Sequence, residues 1–196
     1  MSLEPYAVSG FPVILDWFGK CAGRVIKWFG WFSSPCLKVS LNNSFGELST
    51  DGARYHHLRV DNKKGWVKAS KVRVELTRLY RKDSGGVWQI VYEGNPFQMP
   101  WQNYGVNPQE IDGQQDYLCD FGALKQGERF GFGLFITNCR PEVNPWVTVG
   151  NPLRAEVVAV GENARSHTAI IEVSWDGRWE QGALEMSKHL VLRQIK

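Results

Sequence analysis

Among the side chains that could do chemistry, His56 and His57 stand side by side. Neighbouring residues of a strand face opposite sides, so this pair cannot chelate one metal ion. One ring is expected buried and the other exposed. His167 and His189 have no partner at ligand spacing. Glu110, Asp112 and Asp116 form an acidic run that could attract calcium, but the spacing lacks the EF-hand pattern and reads as a solvated loop. The GFG at 131–133 sits inside an aromatic stretch instead of between a strand and a helix. It is therefore no phosphate loop, and its glycines are expected to admit a neighbouring ring. No G-x-S-x-G, H-E-x-x-H or Walker pattern occurs. With no nucleophile–base or paired-acid constellation either, the expectation is a non-enzyme that uses no metal or cofactor.

Recognition without catalysis has better candidates. NPFQMPWQNYG, residues 95–105, carries Phe97, Met99, Trp101 and Tyr104 without a single charge. Such a loop must fold back on the core or present an apolar patch to a ligand or partner. WDGRW, residues 175–179, reads as an Asp-Gly hairpin turn between Trp175 and Trp179. Those rings could stack on a sugar or a partner chain, or pack across strands.

Two kinds of element must position these groups. Residues 11–32 read FPVILDWFGKCAGRVIKWFGWF. At 100° per residue, Asp16, Lys20, Arg24 and Lys27 share an arc of about 80°, and Trp17, Phe18, Val25, Trp28, Phe29 and Phe32 fall in the opposite half. Pro12 suits a first helical turn and the SSP at 33–35 ends the pattern. Four charges leave no uncharged window of about 20 residues, so this helix is not a simple membrane span. It would lie flat on a membrane surface, build a seam between sister subunits, or dock on its own domain. Trp17, Phe18, Lys20, Arg24, Val25, Lys27, Trp28, Phe29, Trp31 and Phe32 are the expected membrane or partner contacts.

From Leu37 onward the apolar period changes from 3.6 to 2. Val72, Val74 and Leu76 alternate with Lys71, Arg73 and Glu75, as in a half-buried strand. Similar runs occur at 37–42, 54–61, 86–92, 116–121, 129–137, 153–160, 167–175 and 189–195, with turn clusters between them. In the run at 129–137, Phe130, Phe132, Leu134 and Ile136 should point one way. Short strands at this spacing predict a mainly β chain: an antiparallel β-sandwich over residues 37–196, preceded by the amphipathic helix of residues 1–36.

Composition agrees. The chain has 196 residues, 43% of them hydrophobic and 22% charged, which excludes general disorder and an integral membrane bundle. A net charge of +3 gives no reason to expect nucleic-acid binding. Residues 37–82 hold eleven Lys/Arg against four Asp/Glu, a basic block that suits either an anionic surface or a solvated strand face. Cys21, Cys36, Cys119 and Cys139 form no CxxC pair, so free thiols in a reducing compartment are expected. The first ten residues contain no Lys or Arg, so no secretory signal is recognised.

LRVDNKKGWVKASKVRVEL, residues 58–76, resembles a strand–turn–strand of bacterial immunoglobulin-like domains of the cell-adhesion-related type, at Val60, Asn62, Gly65, Ala69, Val72, Val74 and Leu76. DFGALKQGERFGFGLFI, residues 120–136, is similar to a strand entry of the same domains at Leu124, Gly127, Glu128, Phe130 and Phe132. The resemblance implies an immunoglobulin-like sandwich acting as a binding module. The chain departs from those domains in its leading helix, in residues 94–115, and in extra strands after residue 150.

These readings combine into a non-catalytic β-sandwich module attached to a membrane, or to sister subunits in a homo-oligomer, and otherwise cytoplasmic. Two alternatives use the same features. One is a membrane-disrupting effector whose cationic aromatic helix is controlled by the β domain. The other is a carbohydrate-binding sandwich using Trp101, Trp175 or Trp179.

Overall fold

The computed structural model describes residues 34–63, 67–113 and 115–195. The amphipathic segment of residues 11–32, with all ten of its expected contact residues, lies outside them.

Among the described residues, antiparallel strands make two sheets. The first contains β1 (Leu37–Leu41), β3 (Ala53–Asn62), β7 (Tyr117–Lys125), β8 (Phe132–Leu134) and β9 (Trp146–Val147), in that order, with β2 (Glu47–Leu48) beside β3. The second runs β12 (Leu190–Ile195), β11 (Ala169–Trp175), β10 (Leu153–Val160), β4 (Ala69–Lys82), β5 (Trp88–Met99), and β6 (Gln109–Ile111) pairs with the start of β4. One helix, α1 (Ala183–His189), connects β11 to β12. The model is thus mainly β, as the period-2 alternation predicts.

The alternation fixes which side chains go inside. Val72, Val74 and Leu76 of β4 are fully buried, whereas Lys71 and Arg73, which alternate with them, are exposed. Thr77 is then an extra residue opposite β10, where pairing shifts between Glu156 and Val157. That bulge resets the phase so that Leu79 also turns inward. Both sheets feed one apolar cluster: Leu58, Val60, Phe121 and Phe132 from the first, Leu76, Val157, Ile171 and Val173 from the second. Residues 58–76, read above as a strand–turn–strand, pass from β3 in one sheet to β4 in the other. Buried Asn62 anchors this passage: its Oδ1 accepts from the Cys36 amide at 3.0 Å and its Nδ2 donates to Val67 O at 2.5 Å and Ile111 O at 3.3 Å.

Three expectations need correction. The strand expected over 129–137 shrinks to Phe132–Leu134, because Gly127 and Gly131 at positive φ turn the chain just before it. Phe130 therefore points out, 62% exposed, instead of sharing the inward side of Phe132 and Leu134. Asp176-Gly177 is not a two-residue hairpin either: the chain passes through α1 before β12 pairs with β11, and Trp175 faces Leu190. Finally, strand β5 runs on through Phe97 to Met99, well beyond the expected end at residue 92.

The glycines of 131–133 do admit aromatic rings. A Cβ on Gly133 would lie 2.6 Å from the Trp146 ring. One on Gly131 would lie 2.1 Å from Val147 O and 3.1 Å from the Trp175 ring, at a φ of +88°. Gly131→Ala should therefore cost at least about 2 kcal/mol by overpacking and backbone strain. Gly127→Ala, at φ +76° but with nothing near the added methyl, should cost about 1–2 kcal/mol at most. Urea unfolding of the two variants checks the order; a Gly127 variant as unstable as the Gly131 one would remove the close-packing explanation.

Candidate functional site

Residues 53–62 place Arg54, His56, Leu58 and Val60 toward the interior and Tyr55, His57, Arg59 and Asp61 toward the outside of the first sheet. Strand β7 carries one extra residue opposite β3: His56 pairs with Gly122 and His57 with Asp120, leaving Phe121 as the bulge. Phe121 and Gly122 both turn inward, and Asp120 emerges opposite His57.

The two histidines have different fates. Both are buried, His56 at 1% exposure and His57 at 5%, so the expectation that one is exposed is corrected. His56 packs edge-on against Phe132, with centroids 5.7 Å apart, and neither ring nitrogen has a hydrogen-bond partner. Burial, reinforced by the nearby Arg54 charge and by His57, pushes its pKa down to about 3. Arg54 itself is buried, its guanidinium donating to Phe45 O at 3.1 Å and Gln181 O at 2.7 Å. His57 looks outward but is covered by its surroundings. Its Nδ1 lies 3.0 Å from Asp120 Oδ1, and its Nε2 is 3.9 Å from Glu47 Oε2. An ionised carboxylate can only accept, so with Asp120 charged Nδ1 carries the proton and the neutral ring offers Nε2 as a bare acceptor.

Around this pair lies a cleft of about 370 Å³, lined also by Ser49, Tyr55, Gln102 and Asn103. Its upper wall is held by backbone pairing: Asp120 N donates to Pro100 O and Gln102 N to Leu118 O. Tyr55 is shared with a second cavity of about 320 Å³, whose walls include Phe135, Trp146, Lys125 and Glu128. There Tyr55 stacks on Phe135 at 5.9 Å, and Trp146 meets Phe130 at 5.7 Å. The outer side of the first sheet is thus polar around His57 and aromatic beyond Tyr55.

The outer side of the second sheet is crossed by a ladder of ion pairs. Glu172 of β11 receives Arg154 of β10 at 2.9 Å and Arg193 of β12. Burial alone would raise its pKa, but the two guanidiniums reverse this and hold it below the usual range. Arg78 bridges Glu93 at 2.5 Å and Glu156 at 3.5 Å, and Tyr80 Oη donates to Glu156 at 2.5 Å. Arg154 also stacks 4.3 Å from the Trp88 ring. Of the basic block of residues 37–82, Arg78 is neutralised in place on this side.

The expected ligand contacts are dispersed by the fold. Phe97, Met99 and Trp101 are at most 5% exposed. The uncharged loop has folded back on the core, because β5 extends through it and Trp101 pairs with Cys119. Tyr104 alone of the four projects, on the rim beside Asn103. Trp175 is half-buried, its Nε1 donating to Arg178 O at 3.0 Å, and Trp179 lines a separate cavity with Gln126 and Gln181. In the acidic run, Asp116 pairs with Arg59 at 2.8 Å and Glu110 accepts the Lys71 amide at 3.1 Å. Among the described residues no cluster of three His, Cys, Asp or Glu side chains could hold a metal ion, and no helix is long and apolar enough to cross a membrane. Cys36, Cys119 and Cys139 are free thiols. The His57–Asp120 pair escaped the sequence reading because its members are 63 residues apart and meet only through the β3–β7 register. No family model matches the chain, and no curated protein or solved structure is significantly similar to it.

The depressed His56 pKa has a thermodynamic consequence. The unfolded chain binds a proton at about 6.5 and the folded chain only near 3. The His56 contribution to stability is therefore fully present above pH 6.5 and is lost as pH falls through this window, at about 1.4 kcal/mol per unit. Urea unfolding of the His56→Phe variant between pH 7 and 4.5 should show a slope shallower by about that amount. An unchanged slope would mean that His56 does not titrate this way.

Proposed function

We propose that this chain is a non-catalytic binding module whose recognition surface is the outer side of the first sheet. In this reading the two sheets are the halves of an immunoglobulin-like sandwich, as the resemblance at residues 58–76 and 120–136 implies. One observation carries the proposal. The second sheet's outer side carries a ladder of ion pairs, whereas the first leaves Tyr55, His57, Asp120, Phe135 and Trp146 around two adjoining clefts. Open concavities with ring walls and a few convergent polar groups are what ligands use. No activated nucleophile accompanies His57: the nearby Ser49 hydroxyl is engaged with Asp51.

The amphipathic pattern of residues 11–32 supports attachment to a membrane surface or to sister subunits. Flotation of the chain with anionic liposomes, compared with a version lacking residues 1–36, tests the lipid form of this. Recovery of the full chain with the liposomes and loss of that recovery on truncation is the expected outcome; equal behaviour removes lipid attachment.

A carbohydrate ligand is the second reading, favoured by the juxtaposition of the Tyr55–Phe135 stack and Trp146 with the amides of Gln102 and Asn103. It transfers the stacking role from Trp101, which is buried, to these rings. On a glycan array the native chain should show signals that fall at least tenfold in Tyr55→Ala and Trp146→Ala but persist in Trp179→Ala. Loss in Trp179→Ala alone would place the site elsewhere, and a silent array would remove the carbohydrate reading.

A further inference from the structure

The cleft around His57 has an electrostatic character that narrows its ligand. Two carboxylates, Glu47 and Asp120, line it, and among the described residues no Lys or Arg is in its walls. His57 is nine-tenths buried, and its Nδ1 is committed to Asp120. Its Nε2 makes no hydrogen bond, and it faces the Glu47 carboxylate at 3.9 Å. With the ring neutral, both of these atoms are acceptors. Two acceptors confronting each other across that gap repel unless a donor lies between them. A charged N–H···O or N–H···N contact spans about 2.7–2.9 Å, so one nitrogen carrying several protons reaches both atoms at once. A hydroxyl has one proton and satisfies only one of them, and a water reaches both but does not offset the negative charge of the cleft.

From this geometry we infer that the cleft is a subsite for a primary ammonium group, carried on an amino sugar of a glycan. The inference rests on the first sheet's outer side being the recognition surface, and it adds the ligand's chemistry. An ammonium between Nε2 and Glu47 Oε2 offsets the two negative charges of the cleft. The sugar ring that bears it lies over Tyr55, with the amides of Gln102 and Asn103 available to its oxygens. The neighbouring sugar then reaches the cavity of Phe135 and Trp146, where aromatic faces suit the apolar side of a hexose. A lysine side chain would satisfy the acceptors equally but would leave those adjoining rings without a matched surface. The observations therefore favour the amino sugar.

Calorimetric titration of the full chain at neutral pH, with a β-1,4-linked glucosamine tetramer and with its N-acetylated counterpart, tests the inference. The tetramer with free amines should bind at least tenfold more tightly. Glu47→Gln, a change at an exposed side chain that leaves the core untouched, should bring the two tetramers within about twofold of each other. Asp120→Asn should weaken the amine form likewise, by freeing His57 to turn. Equal binding of both tetramers by the native chain would overturn the ammonium assignment while leaving the recognition surface in place. A preference that survives Glu47→Gln would overturn it too. A lysine hexamer displacing the glucosamine tetramer at comparable concentration would overturn the amino sugar in favour of a basic peptide. If neither tetramer binds, the inference fails. The wider reading fails with it only if binding of other glycans is also indifferent to Tyr55→Ala and Trp146→Ala.

Discussion

One additional residue in a strand governs the arrangement of the candidate site. Without the bulge at Phe121, strict alternation along β7 would carry one of the consecutive pair Phe121 and Gly122 to the outside and shift the residue opposite His57. With it, Phe121 stays in the core, Gly122 makes room for the Phe132 ring, and Asp120 meets the His57 Nδ1. A Cβ on Gly122 would lie 2.6 Å from that ring, so the residue after the bulge is small because the strand next door packs directly over it. The polar pair outside and the aromatic packing inside are consequences of the same irregularity. Neither can be altered without disturbing the other.

The two sheets use charge in opposite ways. On the second, guanidiniums alternate with carboxylates across five neighbouring strands, so that each of these long side chains is held by one on the next strand. Exposed pairs of this kind contribute little stability individually, but they hold these long side chains along the sheet. Glu172 is the best-buried member, and its two arginines explain how a carboxylate with 8% exposure remains ionised. The first sheet shows the reverse pattern around His57, where acceptors accumulate without a matching donor. That contrast, more than any single distance, distinguishes the outer sides of the two sheets.

Much of the β architecture was legible in the sequence, because burial on one side writes a period of two into the residues. Val72, Val74 and Leu76 made β4 readable, and the runs at 37–42, 54–61 and 153–160 coincide closely with β1, β3 and β10. What escaped was everything decided by a local break in that period. The spacing of Phe130 from Phe132 predicts an inward ring, yet Gly131 at positive φ lies between them. Phe97, Met99 and Trp101 were read as a loop because prolines and amides surround them, whereas the pairing of β5 with β4 runs on to Met99. The candidate site was least legible of all. His57, Asp120, Glu47 and Asn103 come from four separate segments, and only the strand register and the return of residues 100–105 against β7 bring them together.

The adjacent histidines show how far environment can separate identical side chains. His56 and His57 share a strand and differ by one step of the pleat. Inside, His56 meets the Phe132 ring and the charge of Arg54, so a proton there would be a desolvated cation beside another cation. Outside, His57 meets Asp120 and Glu47, and any cation near it is drawn in by both. Arg54 takes part in this division, since its guanidinium is held by the neutral carbonyls of Phe45 and Gln181. Its positive charge reaches His56 directly and reinforces the neutral form. The interior thereby excludes charge from one imidazole while the surface one residue away gathers acceptors around the next, and the wall between these two environments is a single layer of sheet.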